Sequence, residues 1–219
     1  GQHGFARDME FALDAQTENE IWFVLHSDEE TYAKYPYVFT LKLGYRLTGT
    51  KVDVLWHVEN QSDEEMPFAI GGHPAFYCPI DKTEKQSECY LKFDVAGPIE
   101  SETIDGYLVG EKTQRYDLKD GKIRIDEHMF DNDALIFAKQ GIKKAALCNA
   151  KGEAYLTVEM HAPLFGVWRP ADPSAPFVCI EPWYGRSDRT GYSGELRDRE
   201  YENVIAAGTT WEAGYAILV

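Results

Sequence analysis

Two proline-flanked segments carry the residue types that general acid–base chemistry needs. One is Gly71-Gly72-His73-Pro74-Ala75-Phe76, and the other is Cys179-Ile180-Glu181-Pro182-Trp183. A histidine and a carboxylate can exchange protons with two oxygens near neutral pH. Because proline fixes its own φ and restricts the residue before it, we expect both side chains to be held in place. The aromatic residues in the same segments suit the apolar face of a sugar ring.

Each of these two residues also has a purely structural interpretation. A lone His73 is equally consistent with a turn histidine that bonds to backbone, although the preceding glycines would let the chain approach a ligand closely. Glu181 follows the apolar run Phe177–Ile180, which predicts a strand that ends at the carboxylate. Partial loss of water at such a position would raise the pKa of Glu181 and make it a better base. The alternative for Glu181 is an edge carboxylate that points to water.

Other candidates for ligand binding are less specific. His3 and Arg7 lie in a glycine-containing segment where Arg7 could reach an anion, and a frayed terminus is the alternative there. Asp131 and Asp133 belong to an Asp-Asn-Asp pattern that is typical of a turn and could also accept hydrogen bonds from sugar hydroxyls. Trp183, directly after the Glu181-Pro pair, favours a site over a surface interpretation of that pair.

Four arginines follow Glu181 closely: Arg186, Arg189, Arg197 and Arg199. Acidic residues are interleaved with them, which predicts a solvated loop that neutralises its own charge. The sharper alternative is a phosphate clamp, because an arginine can hold a phosphate through two parallel hydrogen bonds.

The elements that must position these residues are predicted to be strands, because the dominant hydrophobic period is two. Alternation over 39–47 and 52–58, across a short turn that contains Gly49, predicts a hairpin. No long segment has a strong helical repeat, and the stretch 170–176 is predicted to be a loop. The chain therefore indicates one all-β domain over residues 1–219, a large antiparallel two-sheet sandwich. Further predicted strands are Ile21–Leu25, Leu91–Val95, Ala134–Phe137, Tyr155–Met160, Gly166–Trp168, Phe177–Ile180 and Tyr215–Val219.

Composition narrows the function classes. The formal net charge of −15 opposes binding to nucleic acid or to an anionic membrane, and no apolar run is long enough to span a bilayer. The four cysteines show no CxxC spacing, which favours reduced thiols in a cytoplasmic protein. The usual zinc, serine-hydrolase and nucleotide-binding motifs are missing from the sequence, so we expect neither a metal nor a cofactor. A neutral ligand is permitted, a local anion pocket built from a few arginines is not forbidden, and proton transfer without a cofactor is the chemistry that remains.

Three segments in this order resemble the aldose 1-epimerase (galactose mutarotase-like) family, in particular a divergent bacterial branch. They are His3-Gly4-Phe5-Ala6-Arg7, the Gly-x-His-Pro-x-Phe-like stretch at 72–76, and Ile180-Glu181-Pro182-Trp183. The resemblance implies a galactose mutarotase-like β-sandwich. It also implies that the sandwich is incomplete at the N-terminus, because family members carry a further N-terminal portion that includes a sugar-binding arginine. Exposed sheet edges in such a chain would favour a homo-oligomer.

The resemblance further implies a role for each candidate residue. Glu181 matches the general base of the family, His73 the general acid, and His3 a second histidine that binds and polarises the substrate. Asp131 is taken as the aspartate that holds sugar hydroxyls. Arg7 and Trp183 are expected to line the sugar site.

The implied reaction interconverts the α and β anomers of a hexose. Glu181 would take the C1 hydroxyl proton while His73 protonates the ring oxygen, with acid and base on opposite sides of the C1–O5 unit. Two alternatives stay open. One is a hexose-6-phosphate 1-epimerase, with Arg7 or Arg186 as the phosphate ligand, and the other is a non-catalytic carbohydrate-binding module on the same fold.

Overall fold

The computed structural model describes residues 3–219, and nearly all of its regular structure is β-strand. Among residues 3–219 the one α-helix is α1 (Glu29–Lys34), and 3-10 turns lie at Ala6–Asp8, Gln86–Glu88 and Leu196–Asp198. No helix in this part of the chain is long and apolar enough to cross a membrane. The strands are β1 (Ala12–Gln16), β2 (Glu20–His26), β3 (Phe39–Thr48), β4 (Lys51–Asn60), β5 (Met66–Phe68), β6 (Ile70–Gly71), β7 (Ala75–Tyr77), β8 (Tyr90–Phe93), β9 (Ile99–Asp105), β10 (Leu108–Tyr116), β11 (Lys122–Arg124), β12 (Leu135–Ala138), β13 (Lys144–Cys148), β14 (Ala154–Met160), β15 (Leu164–Trp168), β16 (Phe177–Tyr184), β17 (Asn203–Ile205) and β18 (Thr210–Leu218).

The described residues divide into two compact units. One contains residues 3–68 and Val204–Ile217, and the other contains Ala69–Asn203 and Leu218–Val219. We call them the hairpin unit and the site unit. The prediction of a single domain over residues 1–219 stays a prediction.

The hairpin unit is built on the strand pair that the alternating pattern predicts. β3 and β4 pair in one unbroken antiparallel register from Phe39↔Asn60 to Thr48↔Lys51. Gly49 turns the chain with a φ of 61°, a conformation that glycine adopts without steric cost. β1 and β2 extend this antiparallel arrangement on the β3 side.

The site unit contains two antiparallel layers. One holds β14, β13, β8 and β11 in that order, and the other holds β10, β9, β12, β15, β16 and β6, with β7 also paired to β16. Phe93 of the first layer meets Phe137 of the second at 5.4 Å between ring centroids, and Phe137 meets Phe165 at 5.2 Å. Rings that interlock at such distances bury apolar area between two sheet faces, which is how a sandwich core forms.

The predicted all-β class is confirmed, and every strand predicted from the sequence overlaps an observed strand. The predicted end of one strand is wrong: β16 continues through Glu181 and Pro182 to Tyr184. Glu181 therefore lies inside a strand and not at its end. The pattern missed several strands with mixed or polar sequences, of which β10 is the longest, and it missed the short helix α1. Asp28 begins that helix with a capping box to Thr31.

Candidate active site

β16 presents three functional side chains on one face. Successive residues of a strand point to opposite faces, so Cys179, Glu181 and Trp183 share a face while Val178 and Ile180 point the other way. Val178 and Ile180 are fully buried, which fixes the register of the strand against the core. The face that carries Glu181 is therefore set by burial of the opposite face.

His73 is positioned by an interruption in the strand beside β16. β7 pairs with β16 through Ala75↔Cys179, and β6 pairs with it through Gly71↔Trp183. The same register, continued across the gap between β7 and β6, places His73 opposite Glu181. Gly72 N donates a hydrogen bond to the carbonyl oxygen of Pro182 at 3.0 Å, which ties the interrupting turn to the strand.

The two prolines at this point cost few ladder hydrogen bonds. The carbonyl oxygen of Pro182 accepts a hydrogen bond from Gly72, and the N–H and C=O of a strand residue point to the same side. The missing N–H of Pro182 therefore falls on the side where the neighbouring strand is interrupted. Pro74 lies within the interruption itself, between β6 and β7. A proline inside a sheet is tolerated where no ladder bond is expected of it, and both prolines satisfy that condition.

His73 and Glu181 form a close pair with unequal access to solvent. Nε2 of His73 lies 3.5 Å from Oε1 of Glu181, and their side chains are 41% and 5% exposed, respectively. The arrangement gives a buried carboxylate a proton-carrying neighbour that reaches the surface. Such a pair can supply one proton acceptor and one proton donor to a ligand at the same place.

Burial raises the pKa of Glu181 from its usual 4.5 to about 7. The indole N–H of Trp183 opposes this rise, because it donates to Oε2 of Glu181 at 3.3 Å and stabilises the charged form. The negative charge of Asp133 acts in the other direction and raises the pKa. A carboxylate with a pKa near 7 suits a general base that must also return its proton.

Glycines on both sides of β16 make room for the indole of Trp183. A Cβ on Gly166, which stands opposite Glu181 on β15, would lie 2.5 Å from Cζ2 of that indole. A Cβ on Gly71 would lie 2.9 Å from its Cδ1. Because real Cβ atoms do not approach carbon so closely, the ring can lie beside Glu181 only if both neighbours are glycine.

Trp168 and Cys179 lie next to the pair and were not singled out from the sequence. The ring of Trp168 meets that of His73 nearly edge-on, with centroids 5.8 Å apart. Trp168 and Cys179 are register partners on β15 and β16. Alternation along a strand would have predicted that Cys179, two residues before Glu181, shares the face of Glu181. Trp168 could be found only from the pairing of β15 with β16.

The structure assigns different environments to the two aspartates of the Asp-Asn-Asp turn. Asp131, the residue chosen from the sequence, pairs with Nδ1 of His128 at 2.9 Å and raises the pKa of that histidine. Asp133, two residues later, acts on the pKa of Glu181. Asp133 has a φ of 74°, and its Oδ1 accepts from the N–H of Ala134. The charge of Asp133 therefore acts on the pKa of the base, whereas Asp131 pairs with His128.

A buried arginine anchors the chain just before that turn. Arg169 is 1% exposed, and its guanidinium donates to the carbonyl oxygen of Glu127 at 2.8 Å. It also lies 5.1 Å from the ring centroid of Phe130. Because Arg169 directly follows Trp168, it links the aspartate turn to β15.

His3 and Arg7 belong to the hairpin unit, where Arg7 makes two hydrogen bonds to the carboxylate of Asp8. Residues 1 and 2 are outside the described residues. Within the site unit, Trp183 lies next to the His73–Glu181 pair, since its indole N–H donates to Oε2 of Glu181.

Three of the four arginines after β16, namely Arg186, Arg189 and Arg199, form ion pairs with carboxylates, as the self-neutralised interpretation predicts, but they are not all solvated. The side chain of Arg186 is 1% exposed; it forms ion pairs with Glu102 and Glu200 and lies over the ring of Tyr201. Arg189 contacts the same two carboxylates. Arg199 pairs with Asp188 at 2.7 Å. A phosphate clamp at Arg186 would have to displace two carboxylates from a buried guanidinium.

Comparison with known proteins connects this geometry to one family. The sequence profile of the aldose 1-epimerase family matches residues 1–195. The chain is 28% identical over 228 aligned residues to Protein LacX of Lactococcus lactis subsp. lactis and covers 74% of its length.

Two solved structures have the same fold over the whole chain. A galactose mutarotase related enzyme from Lactobacillus acidophilus superposes with a TM-score of 0.91 at 30% identity, and this chain covers 73% of it. A galactose mutarotase-like protein from Lactobacillus casei superposes with a TM-score of 0.87 at 25% identity and 76% coverage. The resemblance inferred from the three segments is thereby confirmed, and the chain belongs to the aldose 1-epimerase family.

Proposed function

We propose that this chain accelerates the interconversion of the α and β anomers of a neutral aldose. The observation that carries the proposal is the His73–Glu181 pair. β16 and the turn between β6 and β7 hold the two groups 3.5 Å apart, and burial raises the pKa of the carboxylate to about 7. Family membership supports an isomerase with a sugar substrate.

In the proposed mechanism, Glu181 accepts the proton of the C1 hydroxyl while His73 gives a proton to the ring oxygen. The C1–O5 bond breaks, the C1 hydroxyl becomes an aldehyde, and rotation about C1–C2 exposes its other face. Ring closure reverses both transfers: His73 takes back its proton and Glu181 returns its own to the new hydroxyl. No net proton is gained or lost, and no cofactor enters the balance.

The expected placement of acid and base on opposite sides of the C1–O5 unit stays a prediction. His73 lies in the turn between β6 and β7, and Glu181 lies beside it on β16. This geometry still suits the reaction, because the two oxygens that exchange protons are both bonded to C1. Two adjacent groups can therefore reach both oxygens from one face of the sugar.

The neighbouring side chains are proposed to bind and orient the sugar. Trp183 and Trp168 offer ring faces and edges for its apolar face. Asp133 is the better candidate for a hydroxyl acceptor, since Asp131 is engaged by His128. His3 and Arg7 keep the substrate-binding role that the family resemblance implies, as a proposal.

A neutral sugar is favoured over a hexose phosphate. Arg186, one of the two expected phosphate ligands, is buried and neutralised by Glu102 and Glu200. Arg7 is engaged by Asp8. An excess of glucose 6-phosphate should therefore leave the rate with glucose unchanged, and strong competition would restore the phosphate alternative.

Polarimetry of freshly dissolved α-D-glucose and α-D-galactose tests the proposal. We expect the chain to speed the approach to anomeric equilibrium, and Glu181→Gln and His73→Asn each to lower turnover by about 10²–10⁴-fold. Glu111→Gln and His161→Asn, exposed positions in the same unit, serve as controls that should keep full activity.

Near-full activity in either site variant would refute the assignment of acid and base. Sugar binding by calorimetry without any acceleration would instead support the carbohydrate-binding alternative.

A further inference from the structure

The candidate active site holds a third potential metal ligand besides the acid and the base. One ligand atom from each of His73, Cys179 and Glu181 lies within 4.8 Å of the other two. Cys179 and Glu181 are buried, while His73 opens to the surface. Thiolate sulfur, imidazole nitrogen and carboxylate oxygen are the three ligand types that proteins use for zinc.

The sequence gives no motif for such a site because its ligands come from different strands. Cys179 and Glu181 are two residues apart on β16 and so share a face, and His73 joins them from the interruption opposite. Zinc motifs such as CxxC or HExxH describe ligands on one turn or one helix. Ligands assembled across a β ladder carry no fixed spacing along the chain.

The distances suit a small tetrahedral ion. With metal–ligand bonds of about 2.0–2.3 Å, adjacent ligand atoms of a tetrahedral zinc site are about 3.3–3.7 Å apart. Nε2 of His73 and Oε1 of Glu181 already lie 3.5 Å apart. The sulfur of Cys179 lies within 4.8 Å of the other two ligand atoms and would have to approach them by at most about 1.5 Å.

We propose that Zn²⁺ binds His73, Cys179 and Glu181 through one atom each, with a fourth position open to solvent, and that it thereby inhibits the protein. Three protein ligands with one open position is the arrangement of many accessible zinc sites. As the metal–ligand bonds form, Cys179 releases its thiol proton to solvent. Glu181 likewise releases its carboxyl proton if it is protonated. Burial raises the pKa of the Cys179 thiol to about 12, so the thiol keeps its proton in the absence of metal. Coordination to Zn²⁺ would displace that proton.

The inhibitory part rests on the proposed function, whereas the binding part does not. Zinc would occupy the histidine nitrogen and the carboxylate oxygen that exchange protons with the sugar. Mg²⁺ should not act in this way, because it prefers an octahedral shell of oxygen ligands.

Direct metal binding to the reduced protein, without sugar, is the decisive experiment. Titration with Zn²⁺ against a chromophoric chelator should give one site per chain, and Co²⁺ should give a thiolate-to-metal charge-transfer band. Cys179→Ala should lower Zn²⁺ affinity by about 100-fold or more, since even losing a partner of a ligand costs 10–100-fold, and it should abolish the band. Cys148→Ala, which removes another buried thiol of the same unit, should change neither.

A Cys179→Ala protein that binds Zn²⁺ as tightly as the parent chain would overturn the proposal. If Cys179→Ala fails to fold, His73→Asn gives the same test at an exposed turn, and unchanged affinity there is equally decisive. Polarimetry then tests the inhibition: we expect Zn²⁺ to stop anomer exchange and a chelator to restore it. Zinc that binds at this site without slowing exchange would overturn the inhibitory part alone.

Discussion

The proton affinity of Glu181 is a balance between one neighbour that lowers it and one that raises it. The indole N–H of Trp183 stabilises the carboxylate form, and the charge of Asp133 destabilises it. Burial, the largest effect, sets the pKa near 7. Single substitutions can therefore move the pKa in either direction without touching the carboxylate.

Opposite shifts of the pH–rate profile are expected from these two neighbours. Because the base must be ionised, kcat/KM should rise with pH through the pKa of Glu181 near 7 in the free protein. Trp183→Phe removes the donor and should move this limb to higher pH. Asp133→Asn removes the charge and should move it to lower pH.

Profiles measured by polarimetry from pH 5 to 9 separate the two effects. Asp131→Asn is the matched control, since Asp131 pairs with His128, and its limb should stay in place. A shift in the same direction for Trp183→Phe and Asp133→Asn would contradict the assigned roles.

The site residues that could be predicted from the sequence are those with distinctive neighbours in the chain. Proline and glycine neighbours singled out His73 and Glu181, and Trp183 followed from its place beside Glu181. The choice between Asp131 and Asp133 depends on how a turn lies over a strand far away in the chain, which local pattern does not encode. Trp168 joins the site through strand pairing, for the same reason.

At the level of elements, the two strands beside β16, which are β15 and β6, make room for the site through one glycine each, Gly166 and Gly71. Gly166 lies opposite Glu181, and the absence of a side chain there lets Trp183 lie flat against the sheet. The sequence showed Gly166 as part of a predicted strand. Its role could not be predicted, because it depends on a ring that reaches it from the neighbouring strand.

Gly166→Ala is expected to displace the indole of Trp183 and to remove its hydrogen bond to Glu181. The new Cβ would overlap the six-membered ring at 2.5 Å, so thermal stability and turnover should both fall. Trp183→Phe shortens the ring and should relieve the overlap. The double variant should therefore melt at a higher temperature than Gly166→Ala alone, and strictly additive melting shifts would show that the two residues do not interact.

Across the whole molecule, two carboxyl groups, those of Glu181 and Glu202, have pKa values that folding raises. Burial raises the pKa of Glu202, as it does that of Glu181, from 4.5 to about 7, although Arg199 lies 3.6 Å away. The folded state therefore binds more protons than the unfolded state between about pH 4.5 and 7. The contribution of these two carboxyl groups to stability is fully present below this window and is lost as the pH rises through it.

Thermal unfolding should show this fall directly. We expect a lower melting temperature at pH 8 than at pH 5, with a contribution of up to about 3 kcal/mol from each carboxylate. Glu181→Gln and Glu202→Gln should each flatten the dependence, and each should be more stable than the parent at pH 8. Glu111→Gln, an exposed control, should follow the parent curve. A parent protein equally stable at both pH values would rule out the raised pKa values.

The register between β16 and the strands β6 and β7 limits where residues can be inserted or deleted in relatives of this protein. Acid and base are neighbours across a ladder, so the long stretch of chain between them can gain or lose residues in its loops without separating them. A single inserted residue inside β16, between Cys179 and Glu181, would instead turn Glu181 toward the core. We therefore expect insertions and deletions among functional relatives to accumulate freely in loops such as 170–176 and to be purged from the eight-residue strand β16.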